Sequence, residues 1–83
     1  MEDVFSQRLK ELRQRHKVPQ KRLATALGIS PRAYRFYEAN ERHPDFERLI
    51  LIADFFDVSI DYLVGRTNEP TMNGTRTSLL RTK

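Results

Sequence analysis

Apolar residues along the first half of the chain recur at the spacing of one helix face and are cut into short runs by turn-forming residues. Phe5, Leu9 and Leu12 stand at i, i+4 and i+7, which predicts an amphipathic helix over about Asp3 to His16 with Asp3 as its cap. Val18 precedes Pro19 and is therefore extended, because the proline ring clashes with a helical residue before it. A second, short helix starts at Gln20 with Leu23, Ala24 and Leu27 on one side, and Gly28 ends it in the left-handed region. Ser30-Pro31 then signals a new start, serine as the cap and proline in the first turn. This third helix runs to about Ala39 with Ala33, Tyr34 and Tyr37 inward, and Asn40 suits a left-handed terminator. After His43-Pro44, Asp45 caps a fourth helix in which Leu49, Ile50, Ile52, Ala53 and Phe56 are expected to be mostly core. Ser59 caps a fifth, Val58 staples onto Leu63, and Gly65 closes it. No strand-like alternation, internal repeat or glycine-rich phosphate loop interrupts the pattern. The expected fold class is all-α, a five-helix bundle with short loops.

Beyond Arg66 the composition turns to Asn, Glu, Pro, Thr and Gly, which divides the chain into a domain over 1–67 and a polar tail over 68–83. Within that tail only Leu79-Leu80 has anything to pack. Eighty-three residues allow a single small domain. The absence of cysteine excludes disulfide staples, thiolate zinc sites and cysteine nucleophiles. Two histidines, His16 and His43, are too few for a metal cage, so no metal and no cofactor are expected. Ser30 has no histidine placed to activate it, capping accounts for it, and nothing points to an enzyme. The longest apolar stretch, Leu49 to Ala53, is far short of a membrane span, and the N-terminal residues lack the pattern of a signal peptide. A cytoplasmic protein with no membrane partner is expected.

Charge sharpens the picture. Fifteen Lys and Arg against eleven Asp and Glu give a net +4, which favours an anionic partner. Between residues 13 and 43 the bases Arg13, Arg15, Lys17, Lys21, Arg22, Arg32, Arg35 and Arg42 face only Glu38 and Glu41, whereas acids outnumber bases from 44 to 69. Lys21 and Arg22 lie in the first turn of the second helix, where the helix dipole disfavours each cation by ~0.3–1 kcal/mol. A phosphate nearby would reverse that penalty; the alternative is that both extend into water. Arg32 and Arg35, three apart, share a face of the third helix, from which a guanidinium can fork onto guanine O6 and N7 or meet a phosphate. Tyr34 and Tyr37 suit the core better than base stacking. Leu51 and Phe55, four apart and outside the expected core positions, predict an apolar interface for a dimer or partner, with Leu79 and Leu80 as further material. A wider core that touches the tail is the other reading.

Two short helices joined by Leu27-Gly28-Ile29-Ser30, the second exposing bases, describe a helix-turn-helix. Residues 5 to 66 resemble the DNA-binding domain of Cro/C1-type (XRE-like) repressors of phages and bacteria. The matching segments are Phe5 to Arg13, Gln20 to Ala24, Leu27 to Ser30, Tyr37-Glu38 and Val58 to Arg66. The resemblance implies a lambda-repressor-like bundle whose third helix enters the major groove. It implies that Pro31, Arg32, Arg35 and Phe36 face DNA bases. Gln20 would grip a phosphate and brace the third helix, and the Asn40 to His43 loop, with Arg42, would contact phosphates beside Lys21 and Arg22. Arg13 and Glu38 match a buried ion pair between the first and third helices. The chain departs from the family with Pro19 at a position usually held by a capping residue, Pro31 where a polar residue is usual, and Phe36 where polar residues are frequent. The expected function is sequence-specific double-stranded DNA binding by a transcriptional regulator, a repressor by resemblance, bacterial or phage-encoded and nucleoid-associated. A homodimer on half-sites roughly 34 Å apart would supply the specificity that one small module lacks. The alternative is a protein-interaction module such as an antitoxin or anti-repressor; RNA binding lacks an aromatic platform in this sequence.

Overall fold

The computed structural model describes residues 4–70, and all regular structure among them is helical: α1 Val4–Arg15, α2 Gln20–Leu27, α3 Pro31–Glu38, α4 Phe46–Phe56 and α5 Ile60–Leu63. The proposed cap Asp3 and the tail residues Leu79 and Leu80 lie outside the described residues. Three helices start on side-chain caps that the sequence announces. Ser30, Asp45 and Ser59 accept from the peptide N–H of Ala33, Arg48 and Tyr62, respectively.

All five helices end in the same turn. The left-handed residues are Lys17, Gly28, Asn40, Asp57 and Gly65, with φ between 57° and 87°. After each, the next peptide N–H reaches back five residues: Val18 to Arg13, Ile29 to Ala24, Glu41 to Phe36, Val58 to Ala53 and Arg66 to Asp61, at 2.8–3.0 Å. Gly28, Asn40 and Gly65 are legible as terminators; Lys17 and Asp57 are not. At those two the turn delivers Val18 and Val58 into the core, and their burial offsets a left-handed cost of roughly 1–2 kcal/mol.

One fully covered side chain from each helix meets at the centre: Leu9, Leu23, Tyr34, Ile52 and Leu63. The inward positions expected on α1, α2 and α3 are buried, with Ala33 half-buried at the margin. On α4 the core arc is rotated from its expected position. Ile52, Ala53 and Phe56 are buried, Leu49 packs at the edge, and Ile50 is half-buried outside the core. Phe55, expected to stand clear with Leu51, is instead packed against the core and sits edge-on to Phe56 with ring centroids 4.9 Å apart. The reason is that α4 lies against both α2 and α5, so its apolar arc is wider than a single-sided helix requires. Leu51 keeps 45% of its surface exposed, and Phe46, which the periodicity did not single out, keeps 71%.

Residues 67–70, on either side of the expected boundary at 67, make contact with the helices. Arg8 donates from Nη1 to the carbonyls of Tyr62 and Thr67 and from Nη2 to Oδ1 of Asn68, and its guanidinium lies 4.2 Å from the centre of the Tyr62 ring. The peptide N–H of Ser59 donates to the carbonyl of Pro70. Thus residues 67–70 are strapped to α1 and to the start of α5. Among the described residues no helix is long and apolar enough to cross a membrane, and no cluster of three acidic or imidazole groups could hold a metal.

Candidate functional site

Helix α3 presents two chemically opposite faces. Inward, Tyr34 and Tyr37 are buried and meet edge to face, with ring centroids 6.0 Å apart. Outward, Pro31, Arg32 and Arg35 are exposed, and neither arginine pairs with an acid among the described residues. Phe36 shares this outward side but is half-buried, and the Arg42 guanidinium stands 4.8 Å from its ring centre.

A polar lock ties α3 to the two helices before it. Arg13 on α1 donates from Nε to Oε2 of Glu38 at 2.5 Å and from Nη2 to Oε1 at 3.2 Å, and from Nη1 to the carbonyl of Val18. Gln20, the first residue of α2, donates to Oε1 of Glu38 at 3.1 Å, and the Tyr34 hydroxyl donates to Oε2. One carboxylate therefore gathers α1, α2 and α3. Sequence reasoning has the Arg13–Glu38 pair and the bracing glutamine, both only through resemblance. It missed Tyr34, although its spacing of four from Glu38 on one helix is a usable signal.

The lock is strongly polarised. Burial by itself would raise the Glu38 carboxyl, but hydrogen bonds from Arg13, Tyr34 and Gln20, with the charge of Arg13, outweigh it and hold the group below its usual value. The hydrogen bond to Glu38 raises Arg13 in turn. Burial, followed by the hydrogen bond to Glu38, pushes the Tyr34 phenol far up, so it stays a neutral donor.

Around α3 the expected phosphate-side residues divide. Lys21 and Arg22 are exposed at the start of α2, where Pro19 occupies the cap position without supplying a side-chain acceptor. The peptide N–H groups of Gln20 and Lys21 thus remain available to an anion, while that of Arg22 donates to the carbonyl of Pro19 at 3.1 Å. Asn40 makes the left-handed turn after α3, and Arg42 folds back toward Phe36. His43 instead lies with its ring 6.2 Å from that of Phe5, against α1. Arg48, unmarked in the sequence, donates from Nε to the carbonyl of Leu27 and so joins α4 to the end of α2. The site is a basic surface made of α3, the start of α2 and the 40–42 loop, with its inner side fixed by the Glu38 lock.

The arrangement of α2, a tight left-handed turn at Gly28, and α3 with its outward arginines matches the helix-turn-helix family over residues 9–63. The chain belongs to the Cro/C1-type helix-turn-helix family. Similar members include the HTH-type transcriptional regulators YqaE and YobD of Bacillus subtilis, 45% and 39% identical over 67 residues, which cover 80% and 81% of this chain. The cryptic phage CTXphi transcriptional repressor RstR of Vibrio cholerae is 40% identical over 62 residues. This helix-turn-helix chain spans 55–60% of the length of these relatives. Among solved structures, a transcriptional regulator from Listeria innocua superposes with a TM-score of 0.75 at 29% identity, covering 99% of this chain and 77% of that one. The P22 c2 repressor, solved in complex with a synthetic operator, superposes with a TM-score of 0.70 at 27% identity, covering 76% of this chain and 96% of its own.

Proposed function

We propose that this helix-turn-helix domain binds double-stranded DNA with α3 in the major groove and regulates transcription by repression. The observation that carries this reading is the division of α3: an outward face bearing two unpaired arginines on a helix whose inward face is locked by Glu38 to α1 and α2. A rigidly held helix can hold guanidinium forks against base edges with no cost of ordering its backbone on binding. The operator-bound state of the P22 c2 repressor and the repressor named among its relatives support the same reading. In it Pro31, Arg32 and Arg35 face the bases, while Lys21, Arg22, the opening peptides of α2 with Gln20, and the loop from Asn40 to Arg42 meet phosphates. Repression follows from occupancy of a promoter site and requires no catalytic step.

Arg32 and Lys21 separate the two kinds of contact. Arg32→Ala is expected to relax the preference at one position of a selected site by ~1–3 kcal/mol, whereas Lys21→Ala weakens selected and random duplexes alike. The comparison is a titration of both variants against both duplexes, with the selected site obtained from a random duplex pool. Equal losses of Arg32→Ala on the two duplexes would make Arg32 a phosphate contact. No binding of the unaltered chain to any duplex at low salt would refute the reading itself and favour a protein partner.

One such domain contacts few base pairs, so two chains are proposed to act on a two-fold site. Leu51 is the exposed aliphatic residue in the middle of α4 and is the contact proposed on this chain. Phe55, half-buried at the core margin, is the second residue of this proposal, and Leu79 and Leu80 belong to it from outside the described residues. Leu51→Glu should shift the chain to monomer in sedimentation equilibrium while its helical circular dichroism is kept. A dimer of undiminished strength would move the interface elsewhere.

A further inference from the structure

On the family reading, Phe36 belongs to the group of residues that face bases, and its ring would offer a thymine methyl an apolar surface. Its surroundings argue otherwise. The ring is half-buried, and the Arg42 guanidinium stands over one face at 4.8 Å from the centroid. Little ring surface remains for a base. The backbone repeats the same link: the carbonyl of Phe36 accepts from the peptide N–H of Glu41 at 3.0 Å and of Arg42 at 3.2 Å. Asn40, left-handed at φ 62°, turns the chain back so that both contacts form. Thus one residue of α3 holds Arg42 by its main chain and its side chain together.

Arg42 is otherwise exposed and has no ion pair with an acid among the described residues. Glu38, two positions from Phe36, already accepts from Arg13, Gln20 and Tyr34 and is directed into the bundle. An arginine stacked on an aromatic ring gives up part of its rotamer freedom before any ligand arrives, while all its N–H donors stay in the plane of the guanidinium and accessible. That is the state suited to a phosphate. We propose that Phe36 is a positioning residue that holds Arg42 for a phosphate of the DNA backbone beside the groove occupied by α3, and that it is not a reader of bases. This inference rests on the duplex-binding reading above.

The test is a double-mutant cycle on the full chain, read as duplex affinity at fixed salt, with Phe36→Leu, Arg42→Ala and the pair combined. Leucine keeps an apolar side chain but removes the ring. Phe36→Leu should weaken binding about two- to five-fold for each chain bound, the equivalent of an exposed cation–π contact, and equally on selected and random duplexes. The loss should vanish in the Arg42→Ala background, and Phe36→Tyr should restore most of it. Arg42→Ala should lower the slope of log affinity against log salt by about 1 for each chain bound, and so by about 2 on the two-fold site. Replacing every thymine of the site by uracil should leave the Phe36→Leu ratio unchanged. A Phe36→Leu loss that persists without Arg42, or that disappears on the uracil duplex, would overturn the proposal by making Phe36 a direct contact. An unchanged affinity and salt slope for Arg42→Ala, which is exposed and leaves the fold intact, would overturn it as well. Failure of the unaltered chain to bind any duplex would remove the underlying reading, and this is seen in the first titration of the series.

Discussion

Glu38→Gln is expected to lower the melting temperature by more than about 10 °C at neutral pH. The substitution keeps the shape of the side chain and removes its charge. Arg13 and Glu38 expose only 15% and 7% of their side chains, so a neutral partner leaves the guanidinium nearly buried and uncompensated. Breaking such a pair from one side costs about 3–5 kcal/mol, against a total of about 5–15 kcal/mol for a domain of this kind. For a domain of this length each kcal/mol moves the midpoint by about 4–8 °C. The carboxylate also accepts from Tyr34 and Gln20, so the loss spreads to three helices. The pH dependence carries a signature of its own. Glu38 is held below its usual value, so its folded state binds a proton less readily than the unfolded chain. Its stabilisation is therefore complete above the ordinary carboxylate value of about 4.3 and is lost as pH falls through the folded value. Melting curves of the native chain and of Glu38→Gln should be far apart at pH 7 and converge in acid. Equal melting temperatures at pH 7, or a gap that persists unchanged in acid, would remove the charge of Glu38 from the account of stability.

Affinity for duplex DNA is expected to fall about a thousand-fold between about 50 and 200 mM salt. On the proposed two-fold site Lys21, Arg22 and Arg42 from each of two chains neutralise six phosphates, and the release of their counterions gives a log–log slope of about −5. The exposure of these three side chains, with no acid drawing them back among the described residues, is what makes the full value available. Fluorescence anisotropy across a salt series measures it. A slope of about half this value at a selected site would indicate one chain per site, and a flat dependence would remove the phosphate contacts altogether.

The fold was legible to an unusual extent because its punctuation is written in residues with few structural alternatives. Ser30-Pro31, Asp45 and Ser59 start helices, and Gly28, Asn40 and Gly65 end them; each acts through its own backbone or a neighbour three residues away. Lys17 and Asp57 adopt the same left-handed turn without any such sign. They do so because the apolar residue after each is needed in the core, and that demand exists only once the other helices are present. The same holds for Phe55, whose place at the core edge depends on α4 lying between α2 and α5.

The candidate site divides along the same line. From the residues alone came the basic first half of the chain, the shared face of Arg32 and Arg35, and the two short helices that carry them, because charge and helical spacing are local properties. Resemblance added the Arg13–Glu38 pair and the bracing role of Gln20. Only the tertiary structure joined Tyr34 to that pair, laid Arg42 over Phe36, turned His43 to Phe5, and strapped residues 67–70 to Arg8. These contacts depend on the angles at which helices meet after their turns, and periodicity within one helix carries no information about the position of the next. The sequence by itself determined which residues form helices and which helix faces water with arginines. The structure decided which of those polar side chains hold the bundle together and which stand ready for a partner, because a hydrogen bond between α1, α2 and α3 requires all three to be packed first.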